Sequence, residues 1–341
     1  MSVEICRWKH GLAFVYSITY DEGFADLIDH ALPIHQKYGV PGHLVMVAGQ
    51  LGQLRNIPSS TYHNVRRHLS PQQLRDLIQE GWSVGDHSMT HGDLNVDTHT
   101  EIVLSKEVLE EAIGQRVNVF HLPGADFSFA PAARYLEEAG FLAVFFADDR
   151  LNGHDPDLFA LSRTLLYVIE GEPTCPLYDP FPRVYDPYHR LHEALETGGW
   201  IVDITHAVEP EPLALWKDAT PDILDARFDC LRRVGDGREW AAEPEEVVDY
   251  ILTRRAASVE DVQAEAAHVS FRLALGSIPR AVKCREISVS VRLSTVASCL
   301  PTVSVNGQAS AEIDHFLGNE LTFTWQADAD HSQWIEIDWR S

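Results

Sequence analysis

Two histidines, His87 and His91, stand four residues apart in the segment HSMTH and are the first candidates for chemistry. Imidazole nitrogens at this spacing can both reach one divalent ion. Because the chain has 17 histidines in 341 residues, about one such pair is expected by chance, and position must decide. The pair directly follows an apolar segment at 82–85 that predicts a β-strand, and α/β proteins collect catalytic groups at the carboxyl ends of strands. Two surface or turn histidines are the alternative interpretation.

Two further predicted strand ends carry polar side chains. The segment TYDEG at 19–23 sets Asp21 and Glu22 side by side, and neighbouring carboxylates repel unless a cation or a functional need compensates. The segment WIVDITH at 200–206 brings His206 to the end of an apolar strand. A solvated acidic loop and a structural histidine are the alternatives. Three such features at three strand ends favour one shared site.

The elements that position these residues alternate between short apolar runs and amphipathic segments of helical period. This pattern predicts repeated βα units with a largely parallel sheet, and its length of about 240 residues favours a barrel. The predicted strands are 12–19, 43–47, 82–85, 117–121, 141–146 and 200–205. The predicted helices are 32–38, 71–80, 101–113, 130–138 and 188–195. The loops 49–70 and 148–186, rich in Pro, Gly, Asn and Asp, are expected to wall a cleft.

The last part of the chain has a different pattern. Alternating segments at 268–275, 286–293, 301–306, 320–326 and 333–339 predict strands of a small β-sandwich, joined to the barrel by a short helix near 259–267. We therefore expect two domains, a barrel at 1–257 and an accessory all-β domain at 258–341.

Composition excludes several classes of function. The chain has 51 acidic and 27 basic side chains, and its net charge of −24 disfavours binding to nucleic acids and to anionic membranes. Its five cysteines form no CxxC pair, and no apolar run approaches the roughly 20 residues needed to cross a bilayer. We expect a cytoplasmic protein with reduced thiols, acting on a small molecule or an oligosaccharide.

Four motifs together resemble the NodB-like polysaccharide deacetylases, carbohydrate esterase family four. The family's TFDDG, HSxxH or HTxxH, RxP and LxH motifs correspond, in the same order, to TYDEG at 19–23, HSMTH at 87–91, HLPG at 121–124 and ITH at 204–206. The resemblance covers about residues 11–255. It implies a distorted (β/α) barrel, often with seven strands, and one divalent metal, commonly zinc.

The resemblance also implies roles for individual residues. Asp21 matches the catalytic base and His206 the general acid, while the metal ligands match Glu22, His87 and His91. Two imidazoles and one carboxylate leave zinc a position for water, whose pKa then falls to about 7. The oxyanion would rest on the metal and on the backbone N–H at Gly124.

Two positions depart from the family pattern. Glu22 replaces an aspartate but keeps a hard oxygen ligand. His121 stands where the family has an arginine that orients the base, and histidine cannot form the same two-pronged pair. Either His121 serves in a modified way, or Arg163 in LSR at 161–163 supplies the charge.

The resulting expectation is a metal-dependent hydrolase that removes an N-acetyl or related acyl group from an amino sugar or polysaccharide. An amidohydrolase of a small nitrogenous metabolite, similar to allantoinases, and a catalytically weak carbohydrate-binding protein are the alternatives. Aromatic residues of the β domain suit either sugar stacking, or a sandwich core or homo-oligomer interface; they are Phe316, Trp325, Trp334 and Trp339.

Overall fold

A computed structural model describes residues 1–57, 65–125, 133–166, 184–213, 217–265, 267–294, 296–297, 299–309, 313–327 and 332–339. The chain divides into two compact units. One is Phe14–Glu245, and the other combines Met1–Ala13 with Glu246–Ser341. The segment Met1–Ala13 joins the second of these units because Ser2–Ile5 pairs with the strand Glu286–Arg292. The expected boundary after residue 257 stays a prediction.

Seven parallel strands of unit Phe14–Glu245 close into a barrel, as the sequence predicted. Strand β1 (Ser2–Ile5) belongs to the other unit. The barrel strands are β2 (Phe14–Glu22), β3 (His43–Met46), β4 (Ser83–Asp86), β5 (Val119–His121), β6 (Ala143–Ala147), β7 (Leu161–Leu165) and β8 (Trp200–Thr205). They neighbour one another in that order, and β2 pairs with both β3 and β8 to close the sheet. A short strand, β9 (Glu239–Ala241), pairs with the start of β2.

Helices follow most of the strands. In the described part of the chain they are α1 (Leu27–His30), α2 (Leu32–Tyr38), α3 (Pro71–Gln79), α4 (Ser105–Ile113), α5 (Ala133–Glu138), α6 (Leu191–Thr197), α7 (Pro221–Gly235) and α8 (Pro244–Arg255), with a π-helical turn at His99–Leu104 before α4. Helix α3 begins with a capping box, where the Ser70 hydroxyl accepts from the Gln73 N–H and the Gln73 side chain accepts from the Ser70 N–H. No helix among the described residues is long and apolar enough to cross a membrane.

A buried charged cluster between the barrel strands and α7 fixes that helix to the sheet. The Asp203 carboxylate on β8 accepts from Arg227 of α7 at 2.8 and 3.2 Å and from the Tyr16 hydroxyl at 2.6 Å. The Thr164 hydroxyl on β7 also donates to it, at 2.8 Å. A buried carboxylate is tolerated only with such partners, so these four residues set the spacing of β2, β7, β8 and α7.

The other unit is a sandwich of two antiparallel sheets. Its remaining strands are β10 (Ala257–Ala264), β11 (His268–Leu275), β12 (Glu286–Arg292), β13 (Thr302–Val305), β14 (Gln308–Ala309), β15 (Ile313–Leu317), β16 (Glu320–Gln326) and β17 (Gln333–Asp338). One sheet has the order β1-β12-β16-β15 and the other β10-β11-β17-β13-β14. Apolar side chains from both sheets share one core, which includes Phe271, Val289 and Ile337.

The predicted helix near 259–267 is wrong. This stretch lies largely in β10, an edge strand that pairs with β11 and carries an irregularity between Glu260 and Gln263. Edge strands are commonly protected by charged residues and bulges, and those charges hid the strand pattern. Of the four aromatic residues, Trp339 is a core residue, and Phe316 and Trp325 pack against that core.

Candidate active site

Asp21 and Glu22 form the carboxyl end of β2, where both side chains are buried. Glu22 has a φ of 69°, a left-handed conformation that is uncommon for a residue with a side chain and that frequently marks functional sites. Gly23 follows with a φ of 58°, and a Cβ there would lie 2.0 Å from the sulfur of Met46. Another residue at this position would be strained by the positive φ and would force the Met46 side chain to move.

Arg163 holds the carboxylate of Asp21. Its Nη1 donates to Asp21 Oδ1 at 2.6 Å and to Thr19 Oγ1 at 3.2 Å, and its Nη2 lies 3.3 Å from Asp21 Oδ2. Burial raises the pKa of Asp21, but the charge of Arg163 and its hydrogen bonds bring the pKa below its ordinary value. Asp21 is thus kept ionised and oriented, although Arg163 enters from β7, a strand that the sequence patterns did not reveal.

His121 is engaged elsewhere. Its Nε2 lies 2.9 Å from Nε2 of His43, and its ring stacks on Phe145 with 4.6 Å between centroids. Of the two candidates for the charge beside Asp21, the structure places Arg163 there. Gly124 lies beyond β5 with a φ of 71° and is exposed, and its role as an oxyanion donor remains a prediction.

His87 follows β4 and turns toward Asp21. Its Nδ1–H donates to the backbone oxygen of His121 at 2.8 Å, which leaves Nε2 with a lone pair 3.7 Å from Asp21 Oδ2. Burial lowers the pKa of His87, so its ring is neutral near pH 7. This is the tautomer that a metal ligand would need.

His91 is brought to His87 by an irregular turn. Ser88 and His91 both have positive φ, at 71° and 59°, and the His91 N–H donates to the Ser88 hydroxyl at 2.9 Å. The two imidazole rings meet edge to face with 4.8 Å between centroids. Burial lowers the pKa of His91 to about 4, so it too is neutral at physiological pH.

Glu22 is paired with Arg55, a residue that the sequence did not single out. Arg55 donates Nε–H to Glu22 Oε2 in a very short contact and Nη2–H to Oε1 at 2.9 Å. Lys217 Nζ lies 3.9 Å from the same Oε1. Burial raises the pKa of Glu22, but the Arg55 hydrogen bonds and nearby charges lower it to about 2. The only sequence signal for Arg55 was its position in the loop 49–70, expected to wall the cleft.

The metal expected from the sequence does not fit this arrangement. Both oxygens of Glu22 are engaged by a guanidinium, so the predicted trio of ligands is reduced to His87 and His91. Among the residues that the structure describes, no group of three or more His, Cys, Asp or Glu side chains is placed to hold a metal ion. Zinc sites with fewer than three protein ligands are not the pattern of hydrolases.

His206 directly follows β8, on the side of the site where Lys217 lies. Its Nδ1 and its backbone N–H each lie 3.2 Å from the backbone oxygen of Lys217. Burial lowers the pKa of His206 to about 3, with Lys217 acting in the same direction, so the ring is neutral at pH 7. Burial also lowers the pKa of Lys217 to about 8. Lys217 is a second site residue that sequence patterns missed.

Comparison with known proteins relates the first part of the barrel to a known family. The sequence model of the polysaccharide deacetylase family matches residues 13–144, which include Asp21, Glu22, His87 and His91. This stretch is thus similar to a polysaccharide deacetylase domain. The deacetylase-family match ends before Arg163, His206 and Lys217, so the assignment of those three residues to the site depends on the geometry described above.

Individual relatives of the deacetylase domain are distant. YxkH of Bacillus subtilis (strain 168), named as a candidate polysaccharide deacetylase, is 23% identical over 150 residues, which are 43% of this chain and 49% of that protein. The chain thus matches about half the length of this curated relative. Among solved structures, IcaB from Ammonifex degensii is 21% identical, and the match covers 38% of this chain and 58% of IcaB with a TM-score of 0.33. Polysaccharide deacetylase Bc1974 from Bacillus cereus is 14% identical, with coverages of 67% and 91% and a TM-score of 0.43.

Proposed function

We propose that this chain hydrolyses the acyl amide of an N-acetylated or similarly acylated amino sugar, alone or within a saccharide. The observation that carries the proposal is the Asp21–Arg163 pair at the carboxyl end of the barrel, beside His87 and His206. An ionised, oriented carboxylate next to a second titratable group is the arrangement that general base and general acid catalysis require.

In the proposed reaction Asp21 accepts a proton from the attacking water. Arg163 keeps both oxygens of Asp21 in place, so the base does not rotate away from the water. His206 carries the proton to the departing amine. Because its ring is neutral at pH 7, it must gain that proton during the reaction, and Asp21 is the group that has just taken one up. No step is assigned to a metal ion.

The test is acetate release from a panel of N-acetylated monosaccharides and oligosaccharides, with and without added Zn²⁺, and with a chelator. We expect Asp21→Asn and His206→Ala each to lower turnover by about 10²–10⁴-fold, as for loss of a base or an acid. Asp29→Asn, which removes an exposed carboxylate on α1, is the matched control and should turn over like the native chain.

Two results would overturn the proposal. One is the absence of acetate release from every sugar under all three metal conditions. The other is native turnover in Asp21→Asn. Release of ammonia or ring opening from small cyclic amides, with sugars inert, would instead favour the amidohydrolase alternative. The cytoplasmic location and a homo-oligomer formed through the β unit stay predictions of the sequence.

A further inference from the structure

The ion pair between Arg55 and Glu22 is the feature of the site that the proposed reaction does not use. Arg55 presents two N–H groups to the two carboxylate oxygens, the fork geometry that suits a guanidinium. Both side chains are at most 2% exposed. A pair buried to this degree is a built part of the site, unlike a surface ion pair that forms and breaks freely.

A divalent cation at Glu22 would have to displace Arg55. The cation needs a carboxylate oxygen that already accepts from Arg55, and it would enter a region where Lys217 lies 3.9 Å from the same carboxylate. Displacement would leave a buried guanidinium without its carboxylate, which is strongly unfavourable. The cation would also meet two positive charges across a medium that screens poorly.

We propose that Arg55 takes the place of a divalent cation at Glu22, and that this ion pair keeps the affinity of the native chain for Zn²⁺ low. His87 then remains beside Asp21, with His91 packed against its ring. Glu22 serves as the partner that allows a guanidinium to be buried in the site. The proposal concerns metal affinity and goes beyond the hydrolysis proposed above.

The opposite role for Arg55 makes an opposite prediction. If Arg55 merely steadied a carboxylate that ligates a metal, removing it would weaken binding by about 10–100-fold, as for other groups that support ligands. If Arg55 competes with the metal, removing it frees Glu22 to join His87 and His91, and binding tightens. The sign of the change therefore separates the two roles.

The experiment is Zn²⁺ titration, by competition with a chromophoric chelator, of the native chain, Arg55→Met, Arg55→Lys and Arg67→Met. We expect Arg55→Met to bind Zn²⁺ at least about tenfold more tightly than the native chain, because changes in the groups around metal ligands typically alter metal affinity by about 10–100-fold. Arg67 is an exposed arginine that donates to the backbone oxygen of Gly52. Arg67→Met thus removes an equal charge nearby and should leave the affinity unchanged. Arg55→Lys, which keeps a charge without the fork, should fall between.

A second measurement uses the native chain alone, so the proposal remains testable if Arg55→Met does not fold. A ligand that binds the folded state raises the thermal midpoint in proportion to the logarithm of its concentration over its Kd. We expect the midpoint of the native chain to be the same in micromolar Zn²⁺ and in chelator. Stoichiometric zinc in the purified native chain, a Zn²⁺-dependent midpoint, or weaker or unchanged binding in Arg55→Met would each overturn the proposal. None of these readouts depends on acetate release, so a failure of the proposed hydrolysis leaves this test intact.

Discussion

Replacing Arg163 by methionine should damage both the stability and the pH profile of the protein, because it strips the buried Asp21 carboxylate of its counterion. Arg163 makes two hydrogen bonds to that carboxylate, and each bond to a charged group contributes about 1.5–3 kcal/mol. Breaking a buried pair by removing one partner costs about 3–5 kcal/mol in total. We expect a loss of that size in the free energy of unfolding at pH 7.

The loss should depend on pH in a defined direction. In the native chain the pKa of Asp21 lies below its unfolded value, so the ion pair stabilises the fold above about pH 4 and ceases to do so as the pH falls through the lowered pKa. In Arg163→Met, burial alone raises the pKa of Asp21, and protonation relieves the buried charge as the pH falls. The difference in urea unfolding between variant and native chain should therefore be larger at pH 7 than at about pH 4.5.

Turnover supplies the second readout. The acidic limb of kcat/KM should move to higher pH in Arg163→Met, with turnover lower by about 10²-fold or more, because the base is both misoriented and protonated earlier. His121→Phe is the matched control, since it keeps a ring stacked on Phe145 and leaves the Asp21 pair intact. A native acidic limb in Arg163→Met, or a shift as large in His121→Phe, would refute the assignment of Arg163.

Two further predictions concern the frame of the site. Burial raises the pKa of Asp86 to about 8, so the protonated carboxyl stabilises the fold fully below about pH 4, and this stabilisation is lost as the pH rises toward 8. Asp86→Asn should therefore become more stable relative to the native chain from pH 5 to pH 8 in urea unfolding. A stability difference that stays constant over this range would contradict the prediction. A Cβ added at Gly85 would lie 2.5 Å from Nε2 of His43, so Gly85→Ala should lower the free energy of unfolding by about 1–3 kcal/mol. At Gly153 nothing lies within 4 Å of an added Cβ, so Gly153→Ala should change it little. Thermal unfolding of the two variants measures the difference.

The barrel was largely predictable because its strands are buried on both faces and therefore form short, nearly continuous apolar runs. Each of the six expected strands exists, and only their ends moved, as where β2 runs on to Glu22. Strand β7 escaped prediction because its sequence, LSRTL, includes polar residues and lies within the loop-like stretch 148–186. Those polar residues are buried on opposite faces of β7, where Thr164 donates to Asp203 on the side of α7 and Arg163 donates to Asp21 on the other side.

The candidate site likewise contains residues that the sequence could locate and residues that it could not. Asp21, His87 and His206 were placed correctly at strand ends, since strand position fixes where such side chains emerge. Arg55 could not be found, because its pairing with Glu22 depends on the course of an irregular loop 33 residues further along the chain. No local pattern encodes that distance. The ligand set inferred from motifs therefore lacked Arg55 and Lys217, the two cations beside Glu22.

The pairing of β1 with β12 also has a consequence for how the chain is made. Ser2 lies opposite Arg292, so β1 leaves the ribosome well before the strand with which it pairs has been synthesised. The barrel, by contrast, is continuous in sequence, and domains that emerge complete fold as units during translation. We expect the barrel to fold first, and the sandwich to fold only after β12 has been synthesised and can pair with β1. Trimming the first dozen residues would then injure the C-terminal sandwich by uncovering the edge of β12, an unpaired edge that invites aggregation.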